Sequence, residues 1–253
     1  MRIFDSHAHY DDNRYKEDFD SVIHKVKAAG VEKIMTAGVD PESTEKIIEL
    51  CKKDPIFICS AGIHPSEVSR MEDSDIDKIA ELAKAPEVHA IGEIGLDYHY
   101  GKEDAEKQKM FFKKQLEIAE SLSLPVIIHS REATADTMNI IRESGYYRGV
   151  VHCFSGSTET MNELLSMGFY IGFTGVVTFK NAAKTVENVR AVPIDRLLVE
   201  TDCPYMAPEP HRGERNDSSY LKEIIEKIAL IKGISPETIA KISFENASKL
   251  FKI

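Results

Sequence analysis

Residues 197–202 read LLVETD, three aliphatic side chains followed by Glu200, Thr201 and Asp202. An unbroken apolar run of this length predicts a strand that is covered on both faces, as the strands of parallel sheets are. Residues 126–130, VIIHS, repeat the pattern of an apolar run with polar residues at its end. The two stretches therefore favour a fold in which parallel strands deliver polar side chains to one edge of a sheet.

Eight β-rich runs are predicted strands, at 3–7, 33–39, 56–63, 89–94, 126–130, 150–154, 170–174 and 197–202. Apolar positions with helical spacing lie between or after them, at 19–30, 40–53, 158–168, 218–233 and 235–251. The alternation predicts an α/β fold, a (β/α)8 TIM barrel with one domain spanning 1–253. An open doubly wound sheet is the alternative, although no GxGxxG fingerprint follows the first strand to support it.

Composition narrows the class of function. The formal net charge of −10 argues against a broad basic surface for nucleic acid, but not against an enzyme that grips a few phosphates through metal ions. Cys51, Cys59, Cys153 and Cys203 lack redox or zinc spacing and are predicted to be buried thiols. No apolar run approaches the roughly 20 residues of a membrane span, and the first residues do not resemble a signal peptide. We expect a soluble, cytoplasmic protein without a membrane partner.

The ends of the predicted strands carry side chains that bind metals. Alternation along the first strand places Asp5, His7 and His9 on one side, although the two histidines could equally be surface residues of a loop. His129 and His152 each follow an aliphatic run, where a lone histidine is more often a hydrogen-bonded core residue. Active sites of these barrels lie at the carboxyl ends of the strands, so we expect the histidines to meet there.

Two carboxylates complete the set. Glu93 lies within AIGEIG and Asp202 closes LLVETD, and burying either without a cation would be costly. Six candidate ligands are thereby predicted, and they are His7, His9, Glu93, His129, His152 and Asp202. The set is sufficient for two divalent ions with Glu93 as the bridge. Zinc, manganese, iron and, more weakly, magnesium suit these donors.

The sequence resembles the TatD family of metal-dependent nucleases, within the amidohydrolase superfamily. The matching motifs are FDSHAHY, AGIHP, AIGEIGLDYHY, EKQKMFFKKQLEIA, PVIIHSR, VVHCFSG, GFTGVVTFKNA and LLVETDCPYMAPEPHRGERN, which extend over residues 4–216 in family order. The resemblance implies that one ion is held by His7, His9, Glu93 and Asp202, and the other by Glu93, His129 and His152. It also implies metal-dependent DNase activity, including removal of nucleotides from 3′ ends. The segment RNDSS, where the family more often has Asn-Glu-Pro, touches none of these ligands.

The expected reaction is hydrolysis of a phosphodiester by a metal-activated water. Asp202 is the candidate general base, and Glu200, two residues earlier on the same strand face, is expected to orient a ligand imidazole. The alternative for Glu200 is a buried acid paired with a lysine or arginine. His64, in AGIHP, is expected to contact phosphate or donate a proton, with metal ligation as its alternative.

Two segments are candidate substrate contacts. Residues 203–217 carry Tyr205, Arg212 and Arg215, with two arginines against three acids, so the loop is read as a shaped substrate loop, or else as a structural lid. Arg131 lies two positions after His129, and its alternative role is a salt bridge at the rim. The other candidate rim is 97–104, DYHYGKED.

Three functions compete. The first is a deoxyribonuclease that acts on single-stranded DNA or DNA ends, resembling a 3′–5′ exonuclease. The second is an amidohydrolase-superfamily enzyme for another small ester, amide or aminoacyl substrate. The third is a binding or scaffold protein with a structural metal, although structural zinc sites are usually closed and rich in cysteine. No obligate protein partner is evident.

Overall fold

Eight parallel strands alternate with helices in the computed structural model, which describes residues 1–253. The strands are β1 (Ile3–Ala8), β2 (Val31–Ala37), β3 (Phe57–Ala61), β4 (Val88–Asp97), β5 (Val126–Arg131), β6 (Gly149–Val151), β7 (Tyr170–Phe173) and β8 (Leu197–Val199). They follow one another in sheet order from β1 to β8. An isolated parallel bridge between Ala8 and Cys203 links the continuations of β1 and β8. The predicted (β/α)8 barrel is confirmed.

Nine α-helices accompany the strands. They are α1 (Phe19–Ala28), α2 (Pro41–Lys53), α3 (Asp73–Leu82), α4 (Ala105–Leu122), α5 (Thr134–Ser144), α6 (Thr158–Met167), α7 (Ala183–Ala191), α8 (Leu221–Lys232) and α9 (Pro236–Phe251). Asp40 caps α2 and Ser235 caps α9, each with a proline directly after it. None of these helices combines the length and the apolar character needed to cross a lipid bilayer.

The observed strands end within a few residues of the predicted bounds, and β8, β6 and β1 differ most in how their carboxyl ends are built. β8 ends at Val199 and β6 at Val151, because the chain soon enters left-handed backbone at Asp202 and Cys153, with φ of 56° and 43°. In β1 the pairing with β2 shifts between Asp5 and Ala8, which marks a bulge. Simple alternation of side chains therefore fails at these three strand ends.

The chain packs as two compact units. The first comprises residues 1–36, 153–166 and 170–253. Its core includes Phe4, whose ring lies 5.8 Å from that of Phe244 and 5.9 Å from that of Phe251, so that α9 covers β1. The second comprises residues 37–152 and 167–169, with Phe111 and Phe112 of α4 fully buried. The single domain over 1–253 stays a prediction. All four cysteines are free thiols, and Cys153 is the one that is not fully buried.

Candidate metal centre

The first unit brings His7, His9 and Asp202 together. The Nε2 atoms of the two histidines lie 3.2 Å apart. Asp202 Oδ1 lies 3.6 Å from His7 Nε2 and 3.4 Å from His9 Nε2. His7 is fully buried, whereas the side chains of His9 and Asp202 keep about a tenth of their surface exposed. Three candidate metal-ligand atoms therefore face one another, and solvent still reaches the side chains of His9 and Asp202.

Backbone hydrogen bonds between the ends of β1 and β8 set this geometry. The N–H of Asp202 donates to the carbonyl of His7 at 2.9 Å, and the N–H of His9 donates to the carbonyl of Cys203 at 2.8 Å. The left-handed backbone of Asp202 turns its carboxylate toward the histidines instead of along the strand. Such uncommon backbone at a non-glycine residue is frequent at functional sites.

Asp5 lies beside this cluster but turns its carboxylate to other partners. Its oxygens accept hydrogen bonds from the Thr201 N–H at 2.9 Å, the Thr201 hydroxyl at 2.5 Å and the Ser218 hydroxyl at 2.6 Å. The bulge in β1 explains why Asp5 does not join His7 and His9 as alternation predicted. Complete burial raises the pKa of Asp5 to about 7, although these hydrogen bonds act in the opposite direction.

The second unit gathers imidazoles around Glu93, which lies in the middle of β4. Glu93 Oε1 lies 2.8 Å from His129 Nδ1, 2.7 Å from His152 Nε2 and 3.4 Å from His64 Nε2. The carboxylate is 3% exposed, and its own N–H donates to the carbonyl of Gly38 at 3.0 Å. A buried carboxylate oxygen thus faces three ring nitrogens, which is the donor chemistry of a divalent-cation site.

Asp97 fixes the orientation of His129. Its Oδ2 lies 3.2 Å from His129 Nε2, while its Oδ1 accepts the His99 N–H at 2.9 Å. If Nε2–H donates to Asp97, the Nδ1 lone pair is left to face Glu93 and an ion. Burial lowers the pKa of His129, but the carboxylates of Asp97 and Glu93 outweigh it and the pKa is raised.

His64 begins a short 3-10 helix, Pro65–Arg70, directly after β3. Its Nδ1 accepts the N–H of Ser66 at 3.1 Å, as an N-cap does, and its Nε2 points to Glu93. A neutral ring that accepts at Nδ1 carries its proton on Nε2. This arrangement is consistent with the predicted role of His64 as a donor to phosphate, and also leaves it among the groups that can hold an ion.

Glu200 is fully buried beyond the end of β8. It accepts the Cys153 N–H at 2.6 Å, and the Ser6 hydroxyl at 3.2 Å. Since β8 ends at Val199, strand alternation does not align Glu200 with Asp202 as expected. The carboxylate instead ties the backbone after β6 to β1, and its orienting role stays a prediction.

The loop 203–217 uses its predicted substrate residues partly for packing. Tyr205 remains half-exposed, with its ring 6.3 Å from that of His9 and 4.2 Å from the Arg14 guanidinium. Arg212 lies over the Phe179 ring at 4.3 Å. Arg215 donates to Asp18 Oδ2 at 2.6 Å, so it anchors the loop to the residues before α1. Tyr205 is therefore the residue of this loop best placed beside the His9 cluster.

Arg131 is the last residue of β5 and is exposed. Its guanidinium lies 5.6 Å from the ring centre of Tyr100, in the loop that follows β4. Both roles predicted for Arg131, a substrate contact and a salt bridge at the rim, stay predictions.

The two clusters are suited to divalent ions. In each of two trios, one of His7, His9 and Asp202, the other of His64, Glu93 and His129, the candidate ligand atoms lie within 4.8 Å of one another. Neutral imidazoles with carboxylates, and no thiolate, are typical of catalytic rather than closed structural sites. A (β/α)8 chain with such clusters at the carboxyl ends of its strands has the features of a metal-dependent hydrolase.

Comparison with known proteins gives the family. The model of the family described as TatD related DNase matches residues 4–252. The metal-dependent hydrolase YabD of Bacillus subtilis, itself uncharacterized, is 43% identical over 99% of both chains. The 3′-5′ ssDNA/RNA exonuclease TatD of Salmonella typhimurium is 31% identical, again over 99% of both chains. The crystal structure of YJJV, a TatD homolog from Escherichia coli, superimposes with a TM-score of 0.95 at 27% identity, covering 100% of this chain and 98% of that one. The chain belongs to the TatD-related DNase family of metal-dependent hydrolases.

Sequence reasoning missed Asp97 and Arg14. Asp97 follows Glu93 by four residues in GEIGLD, and a second carboxylate so near a candidate ligand was the available signal. Arg14 stands in an ordinary polar stretch, DDNRYKED, and no local pattern indicates that its guanidinium packs on Tyr205.

Proposed function

We propose that the chain is a metal-dependent deoxyribonuclease that hydrolyses phosphodiester bonds at the ends of single-stranded DNA, with 3′–5′ polarity. The observation that carries the proposal is the convergence of three imidazole nitrogens on one buried oxygen of Glu93. The second cluster, His7, His9 and Asp202, adds to it. The name of the Salmonella relative, a 3′-5′ exonuclease on ssDNA and RNA, supports the substrate class and the polarity. A cytoplasmic location and the absence of an obligate partner belong to the same proposal.

Two divalent ions, of zinc, manganese or magnesium, are proposed. His7, His9 and Asp202 would hold one of them, and Glu93, His129 and His152 would hold the other. Bound ions would supply positive charge that makes water more acidic and neutralises phosphate oxygens.

The side chains then have separate tasks. Asp202, whose carboxylate keeps contact with solvent, is proposed to accept the proton of the attacking water. His64, with its proton on Nε2, is proposed to donate to a phosphate oxygen or to the leaving group. The proposed contacts to the rest of the substrate are Arg131, Tyr205, Arg212 and Arg215. Glu200 is proposed to position the ligand side chains through its buried hydrogen bonds with Cys153 and Ser6.

The test uses metal-stripped protein and single-stranded oligonucleotides labelled at either the 3′ or the 5′ end. Manganese, magnesium or zinc is added back in turn. We expect metal-dependent shortening, with early loss of the 3′ label and a ladder of 5′-labelled products.

Glu93→Gln is the inactive control, and His24→Ala, an exposed change on α1, is the matched control that keeps activity. Absence of cleavage with every metal would overturn the nuclease proposal. Activity on small esters or amides under the same ions would then point to the other hydrolase function.

A further inference from the structure

The loop after β4 presents an aromatic ring that the fold does not use for packing. Tyr100 is 83% exposed, the highest value among the large apolar side chains of the chain. Its neighbour Tyr98, in contrast, is buried, and donates its hydroxyl to Asp136 at 2.7 Å. A ring exposed to this extent buries little area within the chain and is accessible to a ligand.

The ring lies close to the Glu93 cluster in the second unit. Asp97 pairs with Arg131 across β4 and β5, and the same Asp97 contacts Nε2 of His129. The N–H of His99 donates to Asp97 Oδ1, and the ring of His99 meets that of Tyr100 edge-on at 4.8 Å. A short chain of contacts therefore joins Tyr100 to a candidate metal ligand.

The charged residues around the Tyr100 ring do not favour electrostatic binding of a polyanion, because acids outnumber cations there. Within residues 98–104 and 131–132, the cations are Lys102 and Arg131, and the acids are Glu103, Asp104 and Glu132. The Arg131 guanidinium lies over the Tyr100 ring, 5.6 Å from its centre, so it occupies the side of one ring face. Stacking of a base needs a flat, exposed aromatic surface, and it does not require that the surface carry a net positive charge.

Resting on the proposed nuclease function, we propose that Tyr100 and Arg131 form a stacking platform for a nucleobase of the single-stranded substrate. Tyr100 offers one face of its exposed ring to the base, and the Arg131 guanidinium lies over the opposite face. The platform holds a base close to the scissile phosphate whatever its sequence, because every base offers a π-face. The enzyme is thereby selective for phosphodiesters that carry bases.

Two single-stranded substrates of roughly 12 nucleotides test the platform. One is oligothymidylate, and the other carries tetrahydrofuran abasic residues at its three 3′-terminal positions. The protein variants are wild type, Tyr100→Ala, Tyr100→Phe and the matched control Tyr147→Ala, a tyrosine that precedes β6 at the other end of the strands.

We expect Tyr100→Ala to lower kcat/KM for oligothymidylate by about 5- to 150-fold and to leave the abasic substrate unchanged. Tyr100→Phe and Tyr147→Ala should behave as wild type on both. An equal loss on the two substrates, or no loss on either, overturns the platform.

A binding measurement separates this inference from the proposed function. Fluorescence anisotropy of both oligonucleotides is measured on Glu93→Gln protein, with and without Tyr100→Ala. Tighter binding of the base-bearing strand that depends on Tyr100 supports the platform, even if no cleavage by wild type is found and the nuclease proposal fails. Equal binding of the two strands, or binding of neither, overturns the platform whether or not the wild type cleaves.

Discussion

The Nε2 atom of His129 lies 3.2 Å from Asp97 and its Nδ1 lies 2.8 Å from Glu93, so each ring nitrogen faces a carboxylate. Histidine ligands of metals commonly donate their second nitrogen to a carboxylate, which fixes the tautomer and the ring plane. Asp97 is placed to accept such a bond from His129 Nε2, while its other oxygen accepts the His99 N–H. The pKa of Asp97 stays below its ordinary value because the contacts with His129 and His99 outweigh the opposing effect of burial.

We expect Asp97→Asn to weaken binding of an ion at the Glu93 cluster by about 10- to 100-fold. Asparagine offers one oxygen where Asp97 offers two, so either His129 or the His99 N–H loses its acceptor. Titration of zinc against a fluorescent chelator measures the change. Asp136→Asn, a carboxylate that pairs with Tyr98 and Lys109 instead, is the control and should bind zinc as wild type does. Equal affinity in the Asp97 variant would show that the contact is structural only.

Asp202→Asn tests the proposed base. The change keeps the size of the side chain and removes its capacity to take a proton, so we expect kcat to fall by roughly 10²- to 10⁴-fold. Metal content and the melting curve are measured alongside, at saturating metal, to separate lost ligation from lost proton transfer. Asp195→Asn, an exposed change before β8, provides the matched control. Turnover near the wild-type rate with full metal content would remove Asp202 from the base role.

At the scale of single elements, the start of α2 combines a helix cap with an ion pair. Asp40 accepts the Ser43 N–H at 2.7 Å, and Ser43 Oγ accepts the Asp40 N–H at 3.0 Å, which together make a capping box. The same carboxylate pairs with Arg70 from the 3-10 helix that begins after His64. Burial acts to raise the pKa of Asp40, but Ser43 and Arg70 outweigh it and lower the pKa.

A lowered pKa in the folded chain gives a defined pH dependence. The charged form of Asp40 stabilises the fold above the ordinary carboxyl pKa, and this contribution disappears as the pH falls through the lowered value. Asn is as good a helix cap as Asp but carries no charge for Arg70, so we expect Asp40→Asn to cost at most about 1 kcal/mol at neutral pH. The difference from wild type should close as the pH falls below the ordinary carboxyl range. Urea unfolding of both proteins over that range measures it, with exposed Asp77→Asn on α3 as control. A constant difference at every pH would exclude the charge as its source.

β4 and β5 approach each other closely at Gly95. Its φ is +140°, and a Cβ there would lie 2.0 Å from the carbonyl oxygen of His129. Gly95→Ala must therefore strain its own backbone or displace the strand that carries His129. We expect a loss of more than about 1–3 kcal/mol, the usual cost of the backbone strain alone. Gly145→Ala, with φ of +68° and no atom within 4 Å of the added Cβ, isolates that backbone cost in the same urea experiment. Equal losses of unfolding free energy in the two variants would show that β5 moves away from the added Cβ at no measurable cost.

The existence of the strands was predictable, but the direction of the side chains after them was not. Runs such as LLV and VII predict buried strands because apolar side chains on both faces leave few alternatives. The bulge between Asp5 and Ala8, and the left-handed turns at Cys153 and Asp202, come from non-local hydrogen bonds that period-two alternation does not contain. The ligand types could thus be predicted from the sequence, whereas the partners of Asp5, Glu200 and Arg215 could not.

At the scale of the whole molecule, charge limits how the substrate is held. The net charge is −10, and the two candidate rims, 203–217 and 97–104, contain more acids than lysines and arginines. Arg215 is already paired with Asp18, and Arg14 with Asp12. A long basic track for a nucleic-acid backbone is absent from both rims, so under the proposed function the ions and a few aromatic contacts would supply most of the affinity for the substrate.

A weak dependence on salt follows from this arrangement. Binding of single strands loses affinity with a log–log slope of about −0.7 for each phosphate contact. With one or two such contacts, KM for an oligonucleotide should rise by less than about tenfold between about 50 and about 200 mM potassium chloride. The free metal concentration is held constant with a metal buffer, so that salt acts on the substrate contacts alone. Glu103→Lys, which reverses a charge in the loop of Tyr100, should lower KM at low salt and steepen the slope, because it adds the cation that the natural rim lacks. A rise in KM of a hundredfold or more in the wild-type enzyme would instead require many phosphate contacts, and would contradict an enzyme that takes in a strand end through its metal clusters and stacked bases.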